Sequence, residues 1–239
     1  MSLLTARLAD LAGGALLDTA RVTEVSRLSP EFVRVELSAD AFRKAVWVPG
    51  AKLQLRPQRG TLRMRTYTPV GWDIGRGVTE LVAFTHGDGP AAEWFRRVEV
   101  GDDCAIFGPR RSIDLRDATG PVVFVGDESS VALACALRAV TEDVSHVFEA
   151  DDPAGLAEVL AGLGIAGQVA VVSKAADRAE LLRQARDAAG SGPCSLVVTG
   201  DAATVHAVRR ASRGGRGCPG RSRGRPIGLR AASASTNAS

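Results

Sequence analysis

The periodicity of the chain changes once, at Pro121, and that change divides it into two kinds of fold. Between Asp18 and Asp117 short runs alternate apolar and polar residues: Phe32 to Leu37, Leu53-Gln54-Leu55-Arg56, Val78 to Thr85 and Cys104 to Phe107. Such period-two patterning, punctuated by Ser29-Pro30, Pro49-Gly50 and Gly108-Pro109, predicts antiparallel strands with one buried face. From Val122 the strand candidates are wholly apolar, beginning with Val122-Val123-Phe124-Val125, as in strands covered on both faces. Strand and helix patterns then alternate through Val144–Phe148, Pro153–Leu163, Gln168–Val172, Asp177–Ala189, Ser195–Thr199 and Asp201–Arg210. The expected architecture is therefore β plus α/β: a six-stranded antiparallel barrel over residues 18–118, then an open parallel α/β domain over 119–210.

Charge and cysteine usage narrow the function. The net charge of +3 is misleading, because eight Arg and no acid lie beyond Asp201, leaving 22 basic against 27 acidic side chains in residues 1–201. A mildly acidic body argues against a dedicated nucleic-acid binder. Cys104, Cys135, Cys194 and Cys218 form no CxxC pair, and His86, His146 and His206 are dispersed, so neither a metal centre nor a disulfide frame is expected. Leu3, Leu4, Leu8 and Leu11 predict a short packing helix at the start. With no signal peptide and no long apolar run, a cytoplasmic protein with no membrane span is expected. From Ala211 to Ser239 the chain is rich in Arg, Gly, Ala and Ser without apolar period or acids, which predicts a disordered tail.

Three motifs carry the chemistry. Arg65-x-Tyr67-Thr68 puts a cation, an aromatic plane and a hydroxyl on a strand, where alternation aims Arg65 and Tyr67 the same way. A guanidinium can fork onto a pyrophosphate, a phenol ring can lie on an isoalloxazine, and the Thr hydroxyl can reach the polar edge of that ring. A barrel strand with a solvated Arg beside a half-buried Tyr would read the same. In Thr85-His86-Gly87-Asp88-Gly89-Pro90-Ala91-Ala92, Gly89-Pro90 opens a helix whose free N–H groups and dipole favour a phosphate. Small side chains at Ala91 and Ala92 would let the anion come close; an ordinary helix start, with Trp94 and Phe95 in the core, is the plainer reading. Third, Gly126-Asp127-Glu128-Ser129 stands where a dinucleotide fold has its glycine-rich turn. Two carboxylates there would repel a pyrophosphate. Either they accept from ribose hydroxyls, or the electron donor is not a nicotinamide, or they precede a helix capped by Ser129 or Ser130. Glu149 ends the second parallel strand, where it could bond an adenosine ribose and disfavour a 2′-phosphate, or stand as a solvated carboxylate.

In this order, the motifs resemble those of the siderophore-interacting proteins, FAD-dependent ferric-siderophore reductases of the ferredoxin-reductase-like class. The resemblance spans about Asp18 to Arg210. It implies FAD on the barrel domain at Arg65, Thr66, Tyr67, Thr68, His86, Gly89, Ala91 and Ala92. It implies a nicotinamide nucleotide at Asp127, Glu128, Ser129 and Glu149, with NADH, NADPH or a reduced ferredoxin as electron donor. A ferric siderophore would be held by Lys52, Arg63, Arg110 and Arg111, with no acid–base dyad required, and the protein is expected to be a monomer. The chain departs from the family pattern at three places. Ser129-Ser130-Val131 replaces a common Thr-Ala-Leu-Pro, Pro69-Val70 stands where many members carry a further Arg, and the tail replaces a last strand with a Tyr-Trp pair. A reading-frame change near the end of the gene would produce such a tail, and we favour that over an RNA-binding arm. A general NAD(P)H:flavin reductase and a non-catalytic flavin- or siderophore-binding relative are the alternatives to a siderophore reductase.

Overall fold

The computed structural model describes residues 17–57 and 64–214, so the helix expected at the start, the candidate substrate residue Arg63 and the chain beyond Gly214 lie outside the described residues. The chain forms two compact units, Met1–Ser112 and Ile113–Ser239.

In the first unit, seven strands form one antiparallel sheet: β1 (Asp18–Arg27), β2 (Phe32–Ser38), β3 (Lys52–Arg56), β4 (Arg65–Tyr67), β5 (Pro69–Asp73), β6 (Val78–Phe84) and β7 (Asp103–Arg110). Their order is β4-β3-β7-β1-β2-β6-β5. Alternation places Val33, Val35, Leu37, Leu53, Leu55, Leu81 and Ile106 in one core, each fully buried side chain contributing about 1.5–3 kcal/mol. Helix α1 (Asp40–Lys44) adds Phe42, whose ring meets Trp72 edge-on at 4.8 Å, and α2 (Pro90–Arg97) adds Phe95.

Two features correct the expected six-stranded barrel. The sheet has seven strands, and its hydrogen-bonded order is open, with β4 and β5 at its two ends. The added strand is β5, in a stretch whose Pro69 reads as a strand terminator and whose Gly71 reads as loop. Proline removes one ladder donor, yet at the first residue of an edge strand that loss is tolerated. Gly71 belongs to the strand, its carbonyl accepting from Thr79 Oγ1 at 2.7 Å.

The second unit is a parallel four-stranded sheet, β8 (Val122–Asp127), β9 (Val144–Ala150), β10 (Val169–Ser173) and β11 (Ser195–Val198), in the order β10-β9-β8-β11. The connecting helices are α3 (Val131–Arg138), α4 (Pro153–Gly162), α5 (Ala179–Ala189) and α6 (Ala202–Gly214). Every residue of β8 is buried, as its unbroken apolar run requires. Helix α6 continues to Gly214, so residues 211–214 are helical where a disordered tail was expected. Ala and Arg are strong helix formers, and no glycine or proline intervenes before Gly214. No described helix is long and apolar enough to cross a membrane.

Candidate functional site

In the first unit, the register sets Tyr67 opposite Leu53, Thr66 opposite Gln54 and Arg65 opposite Leu55. Directly opposed residues share a face, so Arg65 and Tyr67 lie on the side of the sheet that carries the buried leucines, and Thr66 lies on the other. Because β4 is an edge strand, Arg65 is nonetheless exposed, and it makes no hydrogen bond or ion pair with another described residue. Tyr67 is half-buried, and its ring stands edge-on to Phe95 at 5.0 Å. Burial pushes its phenol pKa up, against the opposing field of Arg65. The Arg-x-Tyr strand is thereby packed onto α2.

That contact matters because of what α2 presents. Its first residue is Pro90, its N-cap is Gly89, and no side chain caps it. The first-turn N–H groups that follow, including those of Ala91 and Ala92, therefore have no intrahelical partner. A Cβ built at Gly87 or Gly89 would meet nothing within 4 Å, so the approach to this helix start is open. Gly87 also has φ +71, a conformation that favours glycine. Of the remaining expected residues, His86 in the loop before this start is exposed and stacked on Phe84 at 4.6 Å, and Thr68 is half-buried between β4 and β5.

Two arginines that the sequence reading did not single out hold α2 in place. Arg96 donates to the carbonyls of Thr85 and Gly87, tying the preceding loop to the helix. Arg27 donates to the carbonyls of Phe95 and Val98 at 3.1 and 3.2 Å, placing a cation at the negative end of the helix dipole. The sequence signal for Arg96 is only its place in a last helical turn. Arg27 is distant in sequence and gave no signal.

An exposed guanidinium, an aromatic ring and an uncapped helix start, linked through Phe95, suit a flavin dinucleotide. The guanidinium and N–H groups can take the pyrophosphate, and Tyr67 can take the ring. The residues present fit FAD.

Two of the candidate substrate cations, Lys52 and Arg110, lie on the other face of the sheet, and Arg111 follows the end of β7. Lys52 pairs in register with Arg110, and Gln54 with Phe107. Lys52 is half-buried, which lowers its pKa, while Arg110 and Arg111 are exposed.

In the second unit, the expected nucleotide residues are engaged internally. Asp127 Oδ1 accepts from Ser129 Oγ at 2.6 Å and Ser130 Oγ at 2.9 Å, while the Asp127 N–H donates to Ser130 Oγ, forming a capping box. A Cβ on Gly126 would come within 2.6 Å of Ser130 Cβ, which explains the glycine. Glu128 accepts from the Asp151 N–H at 2.8 Å and pairs with Lys174 Nζ at 2.8 Å. Burial works against the Lys174 charge, but Glu128 and Asp151 outweigh it and raise its pKa. Glu149 is 2% exposed and accepts from Thr204 Oγ1, with Arg178 Nε at 3.9 Å. Burial raises the Glu149 pKa, against the Thr204 bond and Arg178, with Asp201 and Asp127 adding to the rise. Arg178 Nε also donates to Thr204 Oγ1 at 2.6 Å, and Nη2 pairs with Asp201 at 3.0 Å. The Glu149 contacts tie the carboxyl end of β9 to α6 and to Arg178 at the start of α5, and the Glu128 contacts tie that of β8 to Asp151 and Lys174. These internal bonds compete with a ribose hydroxyl for Asp127, Glu128 and Glu149.

An antiparallel sheet followed by a parallel α/β sheet is the ferredoxin-reductase-like fold. A ferredoxin NADP+ reductase from Neisseria gonorrhoeae with bound FAD and NADP aligns with a TM-score of 0.61 at 16% identity, covering 82% of this chain and 90% of that one. Residues 50–113 match the family model of the siderophore-interacting FAD-binding domain. The siderophore-interacting protein SipS from Aeromonas hydrophila aligns with a TM-score of 0.64 at 20% identity, over 83% of this chain and 85% of that one. A siderophore-interacting protein from Acinetobacter baumannii aligns at 0.61 and 18% identity, over 81% and 82%. No curated protein matches the chain. The resemblance read from the three motifs is borne out by the family model and by these structures.

Proposed function

We propose that the chain is an FAD-dependent reductase of ferric siderophores. The observation that carries this reading is the pairing of edge strand β4 with the uncapped start of α2 through Tyr67 and Phe95. The family match over residues 50–113 supports it, since that segment contains both elements. Arg65 and the first N–H groups of α2 would hold the pyrophosphate, with Ala91 and Ala92 leaving room for it. Tyr67, Thr66 and Thr68 would orient the ring, and His86 and Gly89 would border the phosphate. FAD bound there would accept electrons from the donor and pass them singly to iron(III). Lys52, Arg110 and Arg111 would draw an anionic chelate to the outward face of the sheet. Iron(II) suits hard oxygen ligands less well than iron(III), so reduction releases the metal.

For the donor, the engagement of Asp127, Glu128, Ser129 and Glu149 favours a reduced ferredoxin over NADH or NADPH, since it asks nothing of those groups. Anaerobic mixing of the FAD-loaded protein, prereduced with dithionite, with a ferric siderophore tests the reading. Flavin reoxidation with stoichiometric iron(II) capture by ferrozine is expected. Reoxidation by free flavin or ferricyanide but not by any ferric chelate would favour a general flavin reductase instead.

A further inference from the structure

We infer that the chain forms a two-fold dimer through β10, the edge strand of the parallel sheet, which pairs antiparallel with β10 of a second copy while the two α4 helices flank the axis. This stands apart from the reductase reading and replaces the expected monomer. Of the four strands at the ends of the two sheets, three are guarded against such pairing. Strand β4 has three residues and carries Arg65; β5 opens with Pro69, and its register shifts between Pro69 and Gly71; β11 has four residues, and its Val198 is buried. Strand β10, Val169-Ala170-Val171-Val172-Ser173, has no charge, no proline and an unbroken register with β9.

The backbone of β10 is set for this pairing. The Gln168 carbonyl accepts from the His146 N–H at 2.8 Å, and the Lys174 N–H donates to the Ala150 carbonyl at 3.0 Å. Backbone groups alternate sides along a strand, so Ala170 and Val172 turn theirs to β9, while Val171 and Ser173 turn theirs to the open edge. About a two-fold axis at Val171, that residue would face its own copy as a hydrogen-bonded pair, exchanging both N–H···O bonds, and Val169 would face Ser173. Every cross-strand pair then joins uncharged side chains, so no charge is desolvated and none meets its like.

Helix α4 extends the same surface. Val169 and Val171 line an open groove of about 490 Å³ together with Ala154, Ala157 and Ala161. The three alanines are exposed, and Glu158 is the one charged residue of α4, whereas α5 carries Glu180, Arg183, Arg186 and Asp187. A helix side that meets only water would carry polar residues there. Alanine also leaves room for a second α4 to lie close beside the first. A strand edge that matches its own copy, continued by an apolar helix side, suits an isologous interface in which one patch serves both subunits.

Sedimentation velocity of the chain over a concentration series tests the inference, and a monomer–dimer equilibrium with a Kd of about 1–10 µM is expected. Ala157→Arg changes an exposed helical residue and buries an unpaired charge only in the dimer. It should weaken association at least about tenfold, with an unaltered melting curve in dilute solution. Hydrogen exchange reads the strand itself. The Val171 and Ser173 amides should exchange about tenfold more slowly at dimerising concentration than in dilute solution, while those of Ala170 and Val172 stay protected at both. A chain that remains monomeric up to about 200 µM leaves this edge to another kind of partner and overturns the inference. So does a dimer that Ala157→Arg leaves intact, or one whose formation does not slow exchange at Val171 and Ser173, since its interface then lies elsewhere.

Discussion

The Tyr67 ring meets Phe95 edge-on, with centroids 5.0 Å apart and planes at 62°. Phe95 is 1% exposed, so this contact anchors an exposed edge strand to the core through the helix whose start faces the expected cofactor. Phe95→Ala is expected to destabilise the first unit by about 3–5 kcal/mol, as large-to-small changes of buried aromatics do. It should also weaken FAD binding, although Phe95 is not itself among the proposed cofactor residues. Urea denaturation and flavin fluorescence check the two effects, and an unchanged midpoint would show that β4 and α2 are held together by other means.

His146 gives the second unit a pH dependence with a definite sign. It is 4% exposed between Phe124 and Phe148, and neither ring nitrogen has a partner among the described residues. Burial, with a smaller push from Arg138, lowers its pKa from 6.5 to about 4. The unfolded chain takes up a proton below about 6.5 that the folded chain refuses until about 4. The stability this group confers is therefore present above pH 6.5 and lost as pH falls from 6.5 to 4, by about 3 kcal/mol in all. His146→Leu should flatten thermal stability across that window. At pH 7 it should leave stability equal or higher, because a buried unpaired polar group is removed.

Arg178 has φ +53, a strained left-handed conformation for a residue with a side chain, and it is the cation nearest the buried Glu149 carboxylate. Arg178→Ala is expected to cost about 3–5 kcal/mol by leaving Glu149 buried without its cation. Adding Glu149→Gln should recover part of that loss. A double variant as unstable as the single one, by chemical denaturation, would mean the pair does not act as a unit.

Much of this arrangement was legible in residues close together in sequence. The alternation of Leu53 and Leu55, the unbroken apolar run from Val122 and the Gly89-Pro90 helix start each fix a local structure. What was not legible depends on partners far along the chain. Glu149 reads as a free carboxylate until Thr204 and Arg178 are brought to it, and Glu128 does so until Lys174 arrives. Strand β5 was hidden because a Pro-initiated edge strand and a turn look alike when the neighbouring strand is unknown. The Asp127–Ser130 capping box lay within one turn, and helix capping was among the readings the sequence supported.

FAD titration of the Arg65→Ala protein bears on all of this at once. Wild-type protein is expected to purify yellow and to bind FAD stoichiometrically. Losing a charge-assisted bond to the pyrophosphate should weaken binding about ten- to a hundredfold in Arg65→Ala, while Tyr67→Phe, which keeps its ring, changes it by less than about threefold. Equal FAD affinity for Arg65→Ala and wild type, or a colourless protein that takes up no FAD, would contradict the assignment of β4 and the start of α2 as the flavin site.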